Sequence, residues 1–163
     1  MILKNLSVGF LINPSLIVLI FLLDRLSKIY VIYLDKKFLG SEIFSSKFLN
    51  INLIWNEGIA FGLLSFSKSN SYNFLTFIIF IVIVIIYFMV IKNRGFQKYS
   101  LLMILGGALG NFFDRLFFKA VPDFIDFHIG NFHWFIFNVA DVFITLGVIF
   151  MILNEITNKK NEN

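Results

Sequence analysis

Residues 137–153 read FNVADVFITLGVIFMIL. An amide and a carboxylate, Asn138 and Asp141, stand at the mouth of an apolar run. If 136–153 crosses a bilayer, an ionisable group there is costly, and such residues mark functional sites by default. Their spacing of three puts both side chains on one helix face. A lone acid at a helix entry often only caps it. This one reads as lying about one turn inside the run, so it calls for partners from elsewhere in the chain.

The composition supports lipid as the solvent. The 163 residues are 58% hydrophobic and 15% charged, with a mean hydropathy of +0.84. Soluble domains average about 45–50% apolar and about 25% charged. The length suits a single integral membrane domain over 1–163. Cysteine is absent, which excludes disulfides and thiolate metal sites. The net charge of +4 comes from scattered lysines rather than a basic stripe, so no nucleic-acid partner is expected.

Four stretches, about 14–34, 72–91, 100–118 and 136–153, approach the roughly 20 residues that a spanning helix needs. The first carries Asp24, Arg25 and Lys28 and no small-residue cleavage site follows it, so it is not read as a cleaved signal peptide. Four spans put both termini on one side. Lys92, Arg94 and Lys98 between spans two and three, with Lys159 and Lys160 in the tail, place that side in the cytoplasm. Lys36, Lys37, Lys47 and Lys68 in the 35–71 loop count the other way. With the termini inside, loops 35–71 and 119–135 are both outside, and the polar groups of spans three and four collect at that face. In 48–62, FLNINLIWNEGIAFG, Asn50 and Asn52 alternate with Leu49, Ile51 and Leu53, the period of a half-buried strand. Gly58 and Gly62 then mark a turn or a close backbone approach. Span two, FLTFIIFIVIVIIYFMVI, is apolar all round and reads as a lipid-facing packing helix.

Three further clusters face the question that Asp141 raises. In DRLSK (24–28), Asp24 and Lys28 lie one turn apart and can neutralise each other. In GGALGNFFDRL (106–116), Gly106, Gly107 and Gly110 permit close helix approach. Asn111, Asp114 and Arg115 share a face there, with Arg115 expected to keep Asp114 ionised. VPDFIDF (121–127) offers Asp123 among apolar neighbours and Asp126, expected to be solvated in a loop. His128 and His133 are too loosely spaced to read as a compact metal set, and neither a metal nor another cofactor is expected.

What remains is carboxylate chemistry. Two acids held together in a poorly solvated site cannot both ionise, which leaves a base beside a proton donor. Such a pair activates water against an amide. Asp141 is one member, and spacing leaves Asp114 and Asp123 open as the other. Two readings compete. A proton-coupled transporter would also carry membrane acids, but no inverted repeat is visible. An assembly factor would use the polar groups only to join helices.

DRLSK, NEGIAFG (56–62), GGALGNFFDRL, VPDFIDF and FNVAD occur in an order and spacing that resemble the lipoprotein signal peptidases (signal peptidase II) over roughly 20–147. The resemblance implies four transmembrane helices, a small extracytoplasmic sheet cradle and a short outer helix. It implies removal of the signal peptide from diacylglyceryl-modified prolipoproteins, just before the lipidated cysteine. The setting is the bacterial inner membrane, with the site at the outer face, membrane lipids as neighbours and a monomer as the working unit. It assigns the catalytic pair to Asp123 and Asp141. Asp114 becomes a supporting residue beside Asn111 and Arg115, and Asn56 and Asn138 line the site. Asp24 and Lys28 match the first-helix motif, and Gly107 and Ala140 count among the supporting or substrate-binding positions. Two positions depart from the pattern: Pro122 where a plain aliphatic is usual, and Ile59 where alanine is commoner. Pro122 fixes its own φ and removes a donor beside a catalytic acid.

Overall fold

The structure is a computed structural model and describes residues 8–58 and 69–162. Ile59 and the end of the NEGIAFG motif lie outside the described residues. Four helices and four strands follow in the order α1 (Val8–Lys37), β1 (Phe44–Ser45), β2 (Leu49–Asn56), α2 (Ser69–Lys92), α3 (Gly95–Phe118), β3 (Val121–Ile129), β4 (Phe132–Phe137) and α4 (Val139–Glu162). The strands form one antiparallel sheet in that same order. This is the mainly helical membrane protein with a small sheet that the sequence predicts. No short outer helix occurs among the described residues.

Three helices, α2, α3 and α4, are long and apolar enough to cross a membrane. The 30-residue α1 is long enough too, but Asp24, Arg25 and Lys28 interrupt its apolar run. The outward faces suit lipid: Phe74 and Phe77 of α2 are more than half exposed. α3 is the central element and packs on α1, α2 and α4. Its buried Leu101, Leu102, Ile104 and Leu105 meet Ile83 and Val90 of α2, with Ile17 of α1 and Ile144 and Met151 of α4 at the edges.

Small residues set the spacing of these helices. A Cβ on Gly107 would lie 2.5 Å from the Ala140 carbonyl oxygen of α4, and one on Gly110 would lie 2.5 Å from Asp24 Oδ2 of α1. Gly147 does the same from the opposite side, where a Cβ would lie 2.7 Å from both the Ser100 carbonyl oxygen and Ile104 Cγ1. Without a strong hydrophobic drive between helices in lipid, such close contact is what joins them.

The sheet departs from the loop expected at 119–135. α3 ends at Lys119, which takes the left-handed conformation (φ 55°) and turns the chain at once into β3. β3 and β4 then pair across a turn at Gly130 (φ 59°). FHWFIF (132–137) is β4, so α4 starts at Val139 rather than at 136. An apolar run with no alternation does not distinguish a strand from the start of a buried helix. Pro122 sits within β3, opposite Trp55, and the ladder accommodates it. The period-two reading of 49–53 holds, with β2 extending to Asn56.

If the α3–α4 contact depends on Gly147, Gly147→Val must push the helices apart, at a cost of about 1–3 kcal/mol. The melting temperature in detergent should fall clearly. Phe74→Leu, on the lipid face, should stay within about 0.5 kcal/mol of the parent. A Gly147→Val protein as stable as the parent would refute the packing.

Candidate active site

The site forms where the sheet meets α1 and the ends of α3 and α4. It is built on a lysine. Lys28 of α1 is fully buried, and its ammonium donates to Asp24 Oδ2 (2.9 Å), Asn111 Oδ1 (2.8 Å) and Asp114 Oδ2 (2.7 Å). An ammonium has three N–H donors, so none is left over. The expected Asp24–Lys28 pair is present, extended by contacts to α3. The sequence predicts Arg115 as the ion partner of Asp114, and the structure gives Asp114 other partners. Its carboxylate pairs with Lys28 and with Arg25 Nη1. Neighbours in a helix point about 100° apart, so Asp114 faces α1 while Arg115 donates instead to the carbonyls of Asn111 (3.2 Å) and Gly58 (3.1 Å).

Asp141 also differs from its sequence reading. With α4 starting at Val139, Asp141 stands in its first turn, not a turn deeper. Asn138 Oδ1 accepts from the Asp141 N–H (3.2 Å), while Asp141 Oδ2 accepts from the Asn138 N–H (3.1 Å). This is a reciprocal capping box, built with Asn and Asp. Asp24 Oδ1 takes the next free donor of the helix, the Ala140 N–H, at 3.0 Å. An acid of α1 thus satisfies an otherwise orphaned amide of α4.

Asp123 is in β3 and buried, not in a loop. Asn138 Nδ2 donates to its Oδ1 at 2.6 Å, and Asn56 Nδ2 to its Oδ2 at 2.8 Å. Asn111 Nδ2 donates to Asp141 Oδ1 at 2.8 Å. Each oxygen of Asp123 and Asp141 therefore accepts one N–H. The amide orientations are forced. Asn111 Oδ1 accepts from Lys28, Asn56 Oδ1 from the Gly58 N–H (2.9 Å) and Asn138 Oδ1 from the Asp141 N–H. None of these donors can accept, so all three amide groups must turn their NH₂ to a carboxylate.

Burial pushes the Asp123 carboxyl up to about 6. The Asn56 hydrogen bond opposes this, the charge of Asp141 adds to it and Asn138 opposes it again. A buried carboxyl raised by a neighbouring acid is the arrangement expected where two acids share one proton. An apolar cavity of about 350 Å³ reaches Asp141, lined by Phe127, Trp134, Phe135 and Phe137 of the hairpin and by Val142, Thr145 and Leu146 of α4.

Every site residue expected from the sequence lies in or beside this network, with Gly107 and Ala140 as the contact between α3 and α4. Arg25 is the member missed. It follows Asp24 directly, and only the packing of α1 on α3 turns it toward Asp114. Asp126 is buried, not solvated, and meets His133 Nδ1 at 2.9 Å. Together with His128 these form a group whose ligand atoms all lie within 4.8 Å of one another. Loose spacing in sequence becomes proximity because His128 and His133 pair across the hairpin.

Comparison with known proteins agrees with this geometry. The family described as signal peptidase (SPase) II matches residues 16–157. The lipoprotein signal peptidase of Pelagibacter ubique (strain HTCC1062) is 48% identical over 159 residues, 94% of this chain and 96% of that one. That of Francisella tularensis subsp. novicida (strain U112) is 40% identical over 139 residues, 81% of this chain and 86% of its own. A bacterial membrane enzyme solved by the in meso method at 2.3 Å has a TM-score of 0.74 at 33% identity, over 96% of this chain and 93% of that one. The match covers all four helices and the sheet between them, and on it the chain belongs to the signal peptidase II family of aspartic peptidases.

Proposed function

We propose that this chain removes the signal peptide from diacylglyceryl-modified prolipoproteins, cutting before the lipidated cysteine, with Asp123 and Asp141 as the catalytic pair. The observation that carries the assignment is Asn138, which holds both acids: its side chain donates to Asp123 and its backbone N–H to Asp141. Asp114, the other acid left open by the sequence, is committed to Lys28 and Arg25. A carboxylate occupied by two cations is a poor proton shuttle.

In the reaction one acid is ionised and the other protonated. The ionised carboxylate takes a proton from water as the water oxygen bonds to the scissile carbonyl carbon. The second acid gives its proton to the carbonyl oxygen. The tetrahedral intermediate then collapses: the second carboxylate takes back a proton from one hydroxyl, the C–N bond breaks and the leaving nitrogen takes the proton gained by the first carboxylate. Asn56, Asn111 and Asn138 hold the acids in place throughout and lend partial positive charge to whichever is ionised.

The site faces outward in a bacterial cytoplasmic membrane, with both termini inside and membrane lipid around a monomer. The sheet and the basic 92–98 link support this: they sit at opposite ends of α3, whose 24 residues span about 36 Å. The apolar cavity beside Asp141 lies between the hairpin and α4. It suits an apolar part of the substrate next to the scissile bond.

Three measurements test the assignment. Asp123→Asn and Asp141→Asn should each lower cleavage by at least about 100-fold, the scale of a general acid or base, with the melting temperature maintained. Asp114→Asn should instead act mainly on stability, since it leaves buried cations short of a counter-charge. A stable, fully inactive Asp114→Asn protein beside an active Asp123→Asn protein would reassign the pair.

The second measurement is a pH profile. Cleavage needs the shared proton, so it should decline as pH rises past the upper apparent pKa of the pair. Asn56 favours ionised Asp123, and Asn56→Leu removes that donor while keeping the site dry. Asp123 then holds its proton to higher pH, and the alkaline limb should move up by about one unit, the value of a hydrogen bond to a charged group. A limb that stays put, or moves down, would exclude Asp123 from the proton-sharing pair.

The third compares one precursor with and without its diacylglyceryl group, at equal concentration in the same detergent. The lipid anchor fixes the scissile bond at the depth of the acids, and such positioning contributes up to about 7–11 kcal/mol. Cleavage should depend strongly on the lipid. Equal rates would overturn the substrate class.

A further inference from the structure

We propose that Asp126, His128 and His133 form a binding site for a first-row divalent cation, with zinc as the ion that the ligand set fits best. The site is on the β3–β4 hairpin, apart from the catalytic acids. Side chains alternate along a strand, so Asp123 and Asp126, three residues apart, leave β3 on opposite faces. Asp126 and His128 share a face, and His133 is the cross-strand partner of His128. None of the three bonds to Asp123, Asn138 or Asp141 among the described contacts.

The geometry is close to a binding arrangement without being closed. The ligand atoms lie within 4.8 Å of one another. Tetrahedral zinc with bonds of about 2.0–2.2 Å needs ligands roughly 3.3 Å apart. The widest pair must therefore close by about 1.5 Å, within the reach of a half-exposed histidine turning about its side-chain bonds. His133 is half exposed and free to make that turn, while Asp126 is held inside by burial. The two rings already stack at 5.0 Å between centroids. Asn50 Nδ2 lies 3.4 Å from Asp126 Oδ2, and Ser45 Oγ donates to Asn50 Oδ1 at 2.9 Å. The carboxylate thus has the hydrogen-bonded support that ligating acids in metal sites usually have.

A second observation points to a ligand. His128 Nδ1 is buried and has no hydrogen-bond partner. A buried nitrogen without a partner calls for an explanation, and a bound ion supplies one. Two imidazoles and one carboxylate select zinc or its first-row neighbours over calcium and magnesium, which prefer oxygen ligands. Three protein ligands leave one position for water. An ion here would tie β3 to β4, on the hairpin that carries both Asp123 and the cavity wall of Phe135 and Phe137.

The test uses the full chain in detergent, purified by a tag without histidine and stripped with a chelator. Zinc chloride is titrated by calorimetry, and cobalt chloride is added separately to read the visible absorption of the bound ion. Supporting results are one equivalent of zinc per chain, cobalt bands of tetrahedral intensity and a rise in melting temperature with zinc. His128→Ala and His133→Ala should each weaken binding by more than about 10-fold, since even an outer partner of a ligand is worth that much. Prolipoprotein cleavage by both variants should match the parent, which would also confirm that they fold. Less than half an equivalent of zinc on the parent chain, or equal binding by parent and His133→Ala, overturns the site. If a variant does not fold, the parent's cobalt spectrum decides: octahedral, weakly absorbing cobalt overturns the proposal. The catalytic reading is independent, because chelator-treated enzyme should still cleave while losing the zinc-dependent gain in melting temperature.

Discussion

A lysine with no access to water has to be neutralised on the spot, and the helices are arranged around that requirement. A buried, unpaired ammonium is costly enough that it would sooner lose its proton than stay charged. Two carboxylates, from α1 and α3, and one amide oxygen take the three N–H groups of Lys28. Arg25 supplies the second positive charge that Asp24 and Asp114 together call for. Two acids and two bases therefore balance inside the helix pair. The arrangement is tight because α1 and α3 meet at Gly110, where any side chain would run into Asp24. Packing and charge neutralisation are one constraint here, for without the glycine the Asp114 carboxylate of α3 would not reach the lysine of α1.

The consequences reach the candidate active site in two bonds. Lys28 occupies the oxygen of Asn111, so the Asn111 amide must present its NH₂ to Asp141. Asp24 holds the Ala140 N–H at the start of α4, which fixes the helix turn that carries Asp141. Gly107 lets the same turn approach α3. The groups that join the helices here also hold the acids of the proposed catalytic pair. That is why glue and catalysis are hard to separate from a residue list, and why stability and turnover have to be measured on the same variant.

The sequence made some of this readable and hid the rest, for physical reasons. Pairs at three or four residues along a helix were legible: Asp24 with Lys28, and Asn138 with Asp141. Alternation made β2 legible from Asn50 and Asn52. β4 was not, because FHWFIF has apolar side chains on both faces and carries no period. That error also moved the start of α4 and put Asp141 a turn too deep. The partner of Asp114 was misread because adjacency in sequence is not adjacency in space: residues 114 and 115 point to different neighbours. Asp126 reads as a solvated loop acid because its partners are on strands β2 and β4, Asn50 and His133, and no local pattern reports that pairing. The residues that meet in the candidate site were legible through their motifs, and their hydrogen bonds were not.

Asp123 and Asp141 stand on two kinds of element, and that division matters for hydrolysis at a membrane. Asp141 sits at the N-terminal end of α4, where backbone N–H groups point outward and favour a carboxylate's negative charge. Asp123 sits on a strand, where burial disfavours that charge and pushes the carboxyl up to about 6. The two acids thus sit in unlike surroundings, Asp141 with a backbone donor and Asp123 with side-chain amides only, an asymmetry that suits the proposed pairing of a base with an acid. Only the position at the sheet–helix junction provides both. Deeper in the helices no free backbone donors exist to hold a carboxylate, and farther out on the sheet water would level the difference between the acids. Asn138, the single residue between β4 and α4, belongs to both elements, and through it one short stretch of chain sets the separation of the two carboxyl groups.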